Sequence, residues 1–233
     1  REAAAALAAA RRADPDAAGD AEVVLLLAEA EAAKRGRRYG EALDAARRAL
    51  VLEPDNVDAR LALAGVYAAA GQHGDAIAAY ETVLDARPGD VVAREGLAGA
   101  LFASGDLAAA ARVYDGLLDD APQAATLRAS RTSLAVAEAG QALAAGRVGA
   151  AERALDRALA LDPGNRDALA MKLQIMAGRE DFAGARQRIA AVSDRTWRRE
   201  LESWLAVEEG VARWRADRNA LPAAEALRLA DQG

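Results

Sequence analysis

Prolines fall at Pro54, Pro88 and Pro122, 34 residues apart each time, and then at Pro163 after 41. Three more columns keep that rhythm. One is Ala42, Ala76, Ala110, Ala151 and Ala185. A second is Ala30, Ala64, Ala98 and Ala139, continued by Leu173. A third is Tyr39, His73, Leu107, Val148 and Phe182. Chance periodicity would not place the same seven-residue interruption in the same gap of every column. A period of this length is one supersecondary unit that cannot bury its apolar face alone, so the chain is constrained to stacked repeats.

Each period reads as two helices. Between Val57 and Pro88, Leu61, Leu63, Ala64, Val66, Tyr67 and Ala68 recur at helical spacing, and Gly71 stops the series. A second apolar series, Ile77, Tyr80, Val83 and Leu84, runs to Arg87, where Pro88 and Gly89 end it. The spacing predicts helices over 57–70, 73–86, 91–104 and 107–120. The extra residues after Pro122, Gln123 to Arg131, are expected to lengthen the next first helix. Five periods span Val23 to Val192. The expected organisation is one solenoid over 1–233: a partial repeat at 1–22, repeats at 23–56, 57–90, 91–131, 132–165 and 166–194, and capping helices over 195–233. Glu2 to Pro15 reads as a second helix lacking its first-helix partner, so the chain is expected to begin inside a repeat.

Composition agrees and excludes much chemistry. Hydrophobic residues make up 53% and charged residues 28%, with alanine commonest, and alanine is the best helix former. Runs of strand-forming type are missing. No apolar run approaches the roughly 18 residues of a membrane span, so no direct membrane insertion of this stretch is expected. The absence of Cys removes disulfides, thiolate metal sites and Cys nucleophiles, and the single His73 removes His-pair metal sites and most Ser-His-acid triads. The net charge of -6 argues against nucleic acid as a partner, which needs a basic footprint. Gly96 to Gly105 lie on a predicted helix without a phosphate-loop pattern, Asp119 and Asp120 read as a solvated helix end, and Arg35, Arg37 and Arg38 as a solvated turn. His73 reads as a half-buried packing residue. No catalytic, cofactor or metal residues are assigned, and no enzyme activity is expected. Only Lys34 and Lys172 are Lys among 30 basic residues, which with the heavy alanine usage points to a GC-rich bacterial genome.

The pattern resembles the tetratricopeptide repeat, a 34-residue helix–turn–helix unit. Its first-helix slots are matched by Leu63, Ala64 and Tyr67 and by Leu97, Ala98 and Leu101. The turn glycine is matched by Gly71, Gly105 and Gly146, and the small-then-aromatic pair by Ala76 with Tyr80 and Ala110 with Tyr114. Departures are Ala33 and Ala46 at large-residue slots, Glu138 in a Leu slot, and Trp197 where the last period lacks its Pro. The resemblance implies an all-α, right-handed superhelical solenoid, and a non-catalytic scaffold for protein–protein interaction through the concave groove or an end face.

From the repeat phase the groove candidates are Glu31, Lys34 and Arg35, then Asp58, Leu61, Gly65, Ala68 and Ala69. Val92, Glu95, Gly99 and Phe102 follow, then Ser133, Val136 and Gly140, and last Gln174. The middle of this set is small and apolar, without the Lys and Asn of family members that clamp a peptide carboxylate. A protein or peptide partner presenting an apolar helix face or an extended apolar segment is therefore expected. A narrower alternative is the periplasmic repeat region of a bacterial exopolysaccharide secretion protein of the cellulose or poly-N-acetylglucosamine type, which favours the periplasm over the cytoplasm. Trp197, Trp204 and Trp214 are expected to form a C-terminal cap. The stripe around Leu7 is expected to stack on an upstream repeat or, end to end, on a second molecule.

Overall fold

The structure, a computed structural model, describes residues 15–230, with side chains over residues 19–217. Within those residues eleven helices follow one another with no strand. They are α1 (Pro15–Arg35), α2 (Tyr39–Leu52), α3 (Val57–Ala69), α4 (His73–Ala86), α5 (Val91–Ser104), α6 (Leu107–Asp120), α7 (Ala125–Ala144), α8 (Val148–Leu161), α9 (Arg166–Gly178), α10 (Phe182–Ala190) and α11 (Arg195–Ala230). This is an all-α solenoid of helical hairpins, and the four helices predicted between residues 57 and 120 lie within a residue of their expected bounds. The expected helix upstream of Pro15 lies outside the described residues. Pro15 opens α1, where its missing N–H is one of the orphan donors of a first turn. The expected set of C-terminal capping helices is one helix, α11, of 36 residues.

Local chemistry sets the helix ends. Asn56, Asp90 and Asn165 cap α3, α5 and α9, each side chain accepting from the backbone N–H three residues on (Ala59, Ala93 and Ala168) at 2.8–2.9 Å. The turn within each hairpin needs one left-handed residue, and Gly71, Gly105 and Gly146 supply it at φ of 76°, 91° and 69°. In the first and last hairpins the same place is taken by Arg37 (φ 57°) and Glu180 (φ 61°), which have no glycine freedom there.

The chain falls into two compact units, residues 1–134 and residues 135–233, divided inside α7. In the first unit α1 packs on α3 and α3 on α5, so the first helices lie side by side, while α2, α4 and α6 back them. Its cores gather Val23, Leu26 and Ala30 with Ala45, Ala46, Ala49 and Ala59, then Ala64, Ala76, Tyr80 and Val83 with Ala93 and Leu97. Ala98, Ala110, Tyr114 and Leu117 close on Leu127 and Leu134. In the second unit Ala135, Ala139 and Ala142 pack with Ala151, Ala154, Leu155 and Ala158. The added residues do lengthen α7, to 20 residues. Seven residues are close to two turns, so the insertion keeps the apolar stripe in phase.

The packing follows a rule. A second-helix residue meets the next first helix 16 residues later. Tyr80 lies against Gly96, where an added Cβ would come within 2.2 Å of the phenol ring. Tyr114 is hydrogen-bonded to Ser130. Asp115 accepts from Arg131 Nε at 2.7 Å, and Asp156 from Lys172 Nζ at 2.6 Å. Leu155 shares a core with the half-buried Met171. At the two aromatic positions, Tyr80 and Tyr114, the facing residue is small.

Candidate functional site

The groove candidates of the first unit lie on α1, α3 and α5, the helices that run side by side. On α1, Glu31 holds Lys34 at 2.7 Å and reaches Arg35 Nε at 4.0 Å, so this end is ion-paired within one helix. On α3, Asp58 is exposed and accepts from Arg87 Nη1 at 2.6 Å. Leu61 and Ala68 are half-buried against the Tyr80 core, and Ala69 is exposed. On α5, Val92 is 63% exposed, Glu95 is exposed, and Phe102 is half-buried against the Ala98–Tyr114 core.

The glycines on this face differ in kind. An added Cβ at Gly65 would be in ordinary van der Waals contact with Lys34 Nζ at 3.5 Å and the Tyr80 hydroxyl at 3.8 Å, so side chains from α1 and α4 border this glycine. At Gly99 nothing lies within 4 Å. Small residues on the groove face therefore have two sources. Gly65 sits beside a lysine and a tyrosine, whereas Gly99, with Val92 and Phe102 on the same helix, leaves a surface open.

In the second unit, Val136 is half-buried in the α7–α8 core, and Gly140 on α7 has nothing within 4 Å of an added Cβ. Gln174 and its neighbour Ala170 line a hollow of about 190 Å³ with Leu201 and Trp204, so α11 stands beside that part of α9. Ser133, at the α7 end of the first unit, is exposed and donates to the Ala129 carbonyl at 3.1 Å.

The titratable groups are structural. Burial pushes the Tyr80 and Tyr114 hydroxyls up. The hydrogen bond from Arg47 to the Tyr67 hydroxyl, 3.2 Å, raises the guanidinium further. Asp120 accepts from Arg94 at 2.7 Å rather than pairing with Asp119. Among the described residues no three His, Asp or Glu side chains gather as metal ligands. His73 is half-buried at the start of α4, as expected of a packing residue.

Trp197 and Trp204 are half-buried against Leu169, Leu173, Ala185, Ile189 and Val192, and the deepest α11 residues there are Leu201 and Leu205. Trp214, expected in the same cap, is 58% exposed, as is its neighbour along the helix, Val207, at 62%. The cap therefore rests on two leucines with two tryptophans. Helical spacing alone identified an apolar stripe and could not distinguish its buried part from its exposed part.

A tetratricopeptide-repeat model matches residues 27–91, and a second matches residues 67–133. Together the two models match the tetratricopeptide-repeat pattern over residues 27–133. A search of the curated proteins returns no match. Among solved structures, a tetratricopeptide repeat protein from Parabacteroides merdae superposes with a TM-score of 0.56 at 16% identity, covering 87% of this chain and 79% of its own. MamA gives 0.53 at 16% identity, with 81% and 92% covered. PilF of Pseudomonas aeruginosa gives 0.52 at 14% identity, with 92% and 99% covered. At such identities the likeness speaks for the tetratricopeptide fold alone.

Proposed function

We propose that this tetratricopeptide-repeat chain is a non-catalytic scaffold that binds a partner protein across the first-helix face of α3 and α5, flanked by α1. Tetratricopeptide repeats in general mediate protein–protein interaction. The observation that carries the placement is the open surface of α5: Val92 stands 63% exposed on the helix that also holds Gly99, beside which a Cβ would meet nothing within 4 Å. An exposed branched apolar residue with bare backbone about two turns further along the same helix face suits an apolar helix face or extended apolar segment, held by area and close approach. Glu95 and Asp58 border it and Lys34 lies at its α1 side, giving the rim polar groups that orient a partner without supplying much affinity. No feature of the fold favours an exopolysaccharide-export role over a general scaffold.

The test uses Gly99→Arg and Val92→Asp. Neither side chain enters a core, so circular dichroism and the unfolding midpoint should stay near wild type. A partner isolated with the wild-type protein from native extract, then purified, should lose at least tenfold in affinity for both variants. Undiminished binding by both would move the site off this face.

A further inference from the structure

Four of the second helices, α2, α4, α6 and α8, have 14 residues each, whereas α10 has nine. Five residues are about 7.5 Å of helix. In their place the backbone runs as the loop Ala191–Asp194 into the first turn of α11. A hollow of about 550 Å³ results, with Leu159, Leu169 and Val192 as an apolar floor and Trp197, Arg166 and Arg188 around them. It lies entirely in the second unit and shares no residue with the α3–α5 face.

Its charges do not cancel. Asp194 is fully engaged: its carboxylate accepts from the Thr196 and Trp197 backbone N–H groups at 2.9 and 3.1 Å and from Arg166 Nη2 at 2.6 Å. Arg166 also lies over the Trp197 ring, 5.0 Å from its centroid. Arg188 is held only by a long, shared ion pair. Its nearest carboxylate, Asp156, stands 3.8 Å away and is held by Lys172 at 2.6 Å. Between residues 182 and 199 the sequence has five arginines (Arg186, Arg188, Arg195, Arg198 and Arg199) and one carboxylate, Asp194, in a chain whose net charge is -6. Arg186 pairs with Glu209, and Arg198 donates to the Val192 carbonyl at 2.7 Å through Nε. Arg188 is thus a loosely paired cation at a hollow with an apolar floor and a polar wall that includes Ser193 and the engaged Asp194.

We propose that this hollow is a docking site for an acidic peptide segment of another protein, which places one bulky apolar side chain on Leu159, Leu169, Val192 and Trp197 and a neighbouring carboxylate on Arg188. The apolar side chain supplies area removed from water, and the guanidinium supplies a charge-assisted hydrogen bond that an uncharged or basic peptide cannot form. A ligand that is only an anion would leave the floor unfilled.

The indole N–H signals of Trp197, Trp204 and Trp214, assigned by single Trp→Phe variants, give the readout in a nitrogen–proton correlation spectrum of the full chain at low salt. The probes are the blocked peptides Ac-EELEE-NH2, Ac-EEGEE-NH2 and Ac-KKLKK-NH2. The first should shift the Trp197 signal saturably while Trp214 stays in place, and the other two should bind at least tenfold more weakly. Arg188→Glu, with its circular dichroism unchanged, should weaken Ac-EELEE-NH2 at least tenfold, and added salt should weaken it further. No saturable shift at millimolar peptide, equal binding of the three peptides, or unchanged binding by the folded Arg188→Glu variant would overturn the proposal. A Trp197 signal that moves with protein concentration alone would also overturn it, by placing a second copy in the hollow.

Discussion

Gly96 and Gly99 lie three residues apart on α5, and alanine should act on them with opposite sign. In a helix interior glycine costs about 1 kcal/mol relative to alanine, so Gly→Ala is favourable by that amount wherever the methyl has room. At Gly99 nothing lies within 4 Å, and a gain of about 0.5–1 kcal/mol is expected. At Gly96 the new Cβ would sit 2.2 Å from Tyr80 Cζ, 2.4 Å from Cε1 and 2.6 Å from the hydroxyl oxygen. Tyr80 is 6% exposed and packed among buried side chains, so the ring has little room in which to yield. Overpacking of this kind costs about 2–3 kcal/mol, and after the propensity gain about 1–2 kcal/mol of net destabilisation remains.

Tyr80→Leu provides the control, because the chain itself carries leucine at the equivalent position, Leu155, in a core that also holds the larger Met171. Urea unfolding followed at 222 nm, for the two single variants and the double, gives the coupling energy. Gly96→Ala should be far better tolerated in the Tyr80→Leu background than beside the native tyrosine, with a coupling of about 1–2 kcal/mol. Additive effects, or a Gly96→Ala as stabilising as Gly99→Ala, would refute the 16-residue pairing of second helix with following first helix.

Arg37→Gly and Glu180→Gly should each stabilise by about 1 kcal/mol in urea unfolding, because both residues hold a left-handed backbone that costs about 1–2 kcal/mol outside glycine. Asp194 is held below the ordinary carboxylate range first by the Trp197 N–H and then by Thr196 and Arg166, so its stabilisation is complete above about pH 4 and is lost as pH falls through the lower folded value. The stability difference between wild type and Asp194→Asn, measured by urea titration at several pH values, should accordingly shrink on acidification. Acrylamide should quench one fluorescence component readily in the wild type and lose that component in Trp214→Phe, since Trp197 and Trp204 are half-buried and Trp214 is 58% exposed. Leu25→Asp should cost less than about 1 kcal/mol, whereas Ala93→Asp, in the same repeat column but fully buried, should cost about 3 kcal/mol or more in thermal and urea unfolding.

The helices were legible in the sequence because two independent signals coincided at each boundary: the apolar period and the turn or cap residue that ends it. Gly71 and Gly105, or Asn56 and Asp90, mark a backbone requirement that few residues can meet. The lengthening of α7 was legible for the same reason, since an insertion near two turns keeps the apolar stripe in phase. The Tyr80–Gly96 contact was not. Gly96 reads as one more small residue until the ring from the preceding helix is placed on it, and its only sequence trace is the 16-residue pairing with Tyr80, repeated in Tyr114 with Ser130. The shortening of α10 was also hidden, because Ala185 and Val192 keep the repeat spacing although the helix stops at Ala190 between them. On the groove face, spacing located Gly65 and Gly99 alike, and only the positions of Lys34 and Tyr80 separate the bordered glycine from the open one.

Departures from the repeat therefore carry more information about binding than its matches. The column Leu25, Ala59, Ala93, Leu134 and Ala168 shows why. Its last four members are fully buried, while Leu25 is 46% exposed, and Ala28, Glu29 and Ala32 beside it are exposed too. All five positions are helical, in a first turn at Ala59, Ala93 and Ala168 and in mid-helix at Leu25 and Leu134; since the mid-helix Leu134 is fully buried and Leu25 is not, the difference at Leu25 comes from what lies against the helix. The short α10 obeys the same logic in reverse: a helix that would have filled the space over Leu159 and Leu169 ends early, and the space acquires Trp197 on one side and Arg188 on another. A stack of near-identical hairpins has little surface that distinguishes one hairpin from the next. Its specificity has to come from places where a repeat position is emptied, as at Gly99, or bordered by a residue foreign to the pattern, as at Trp197.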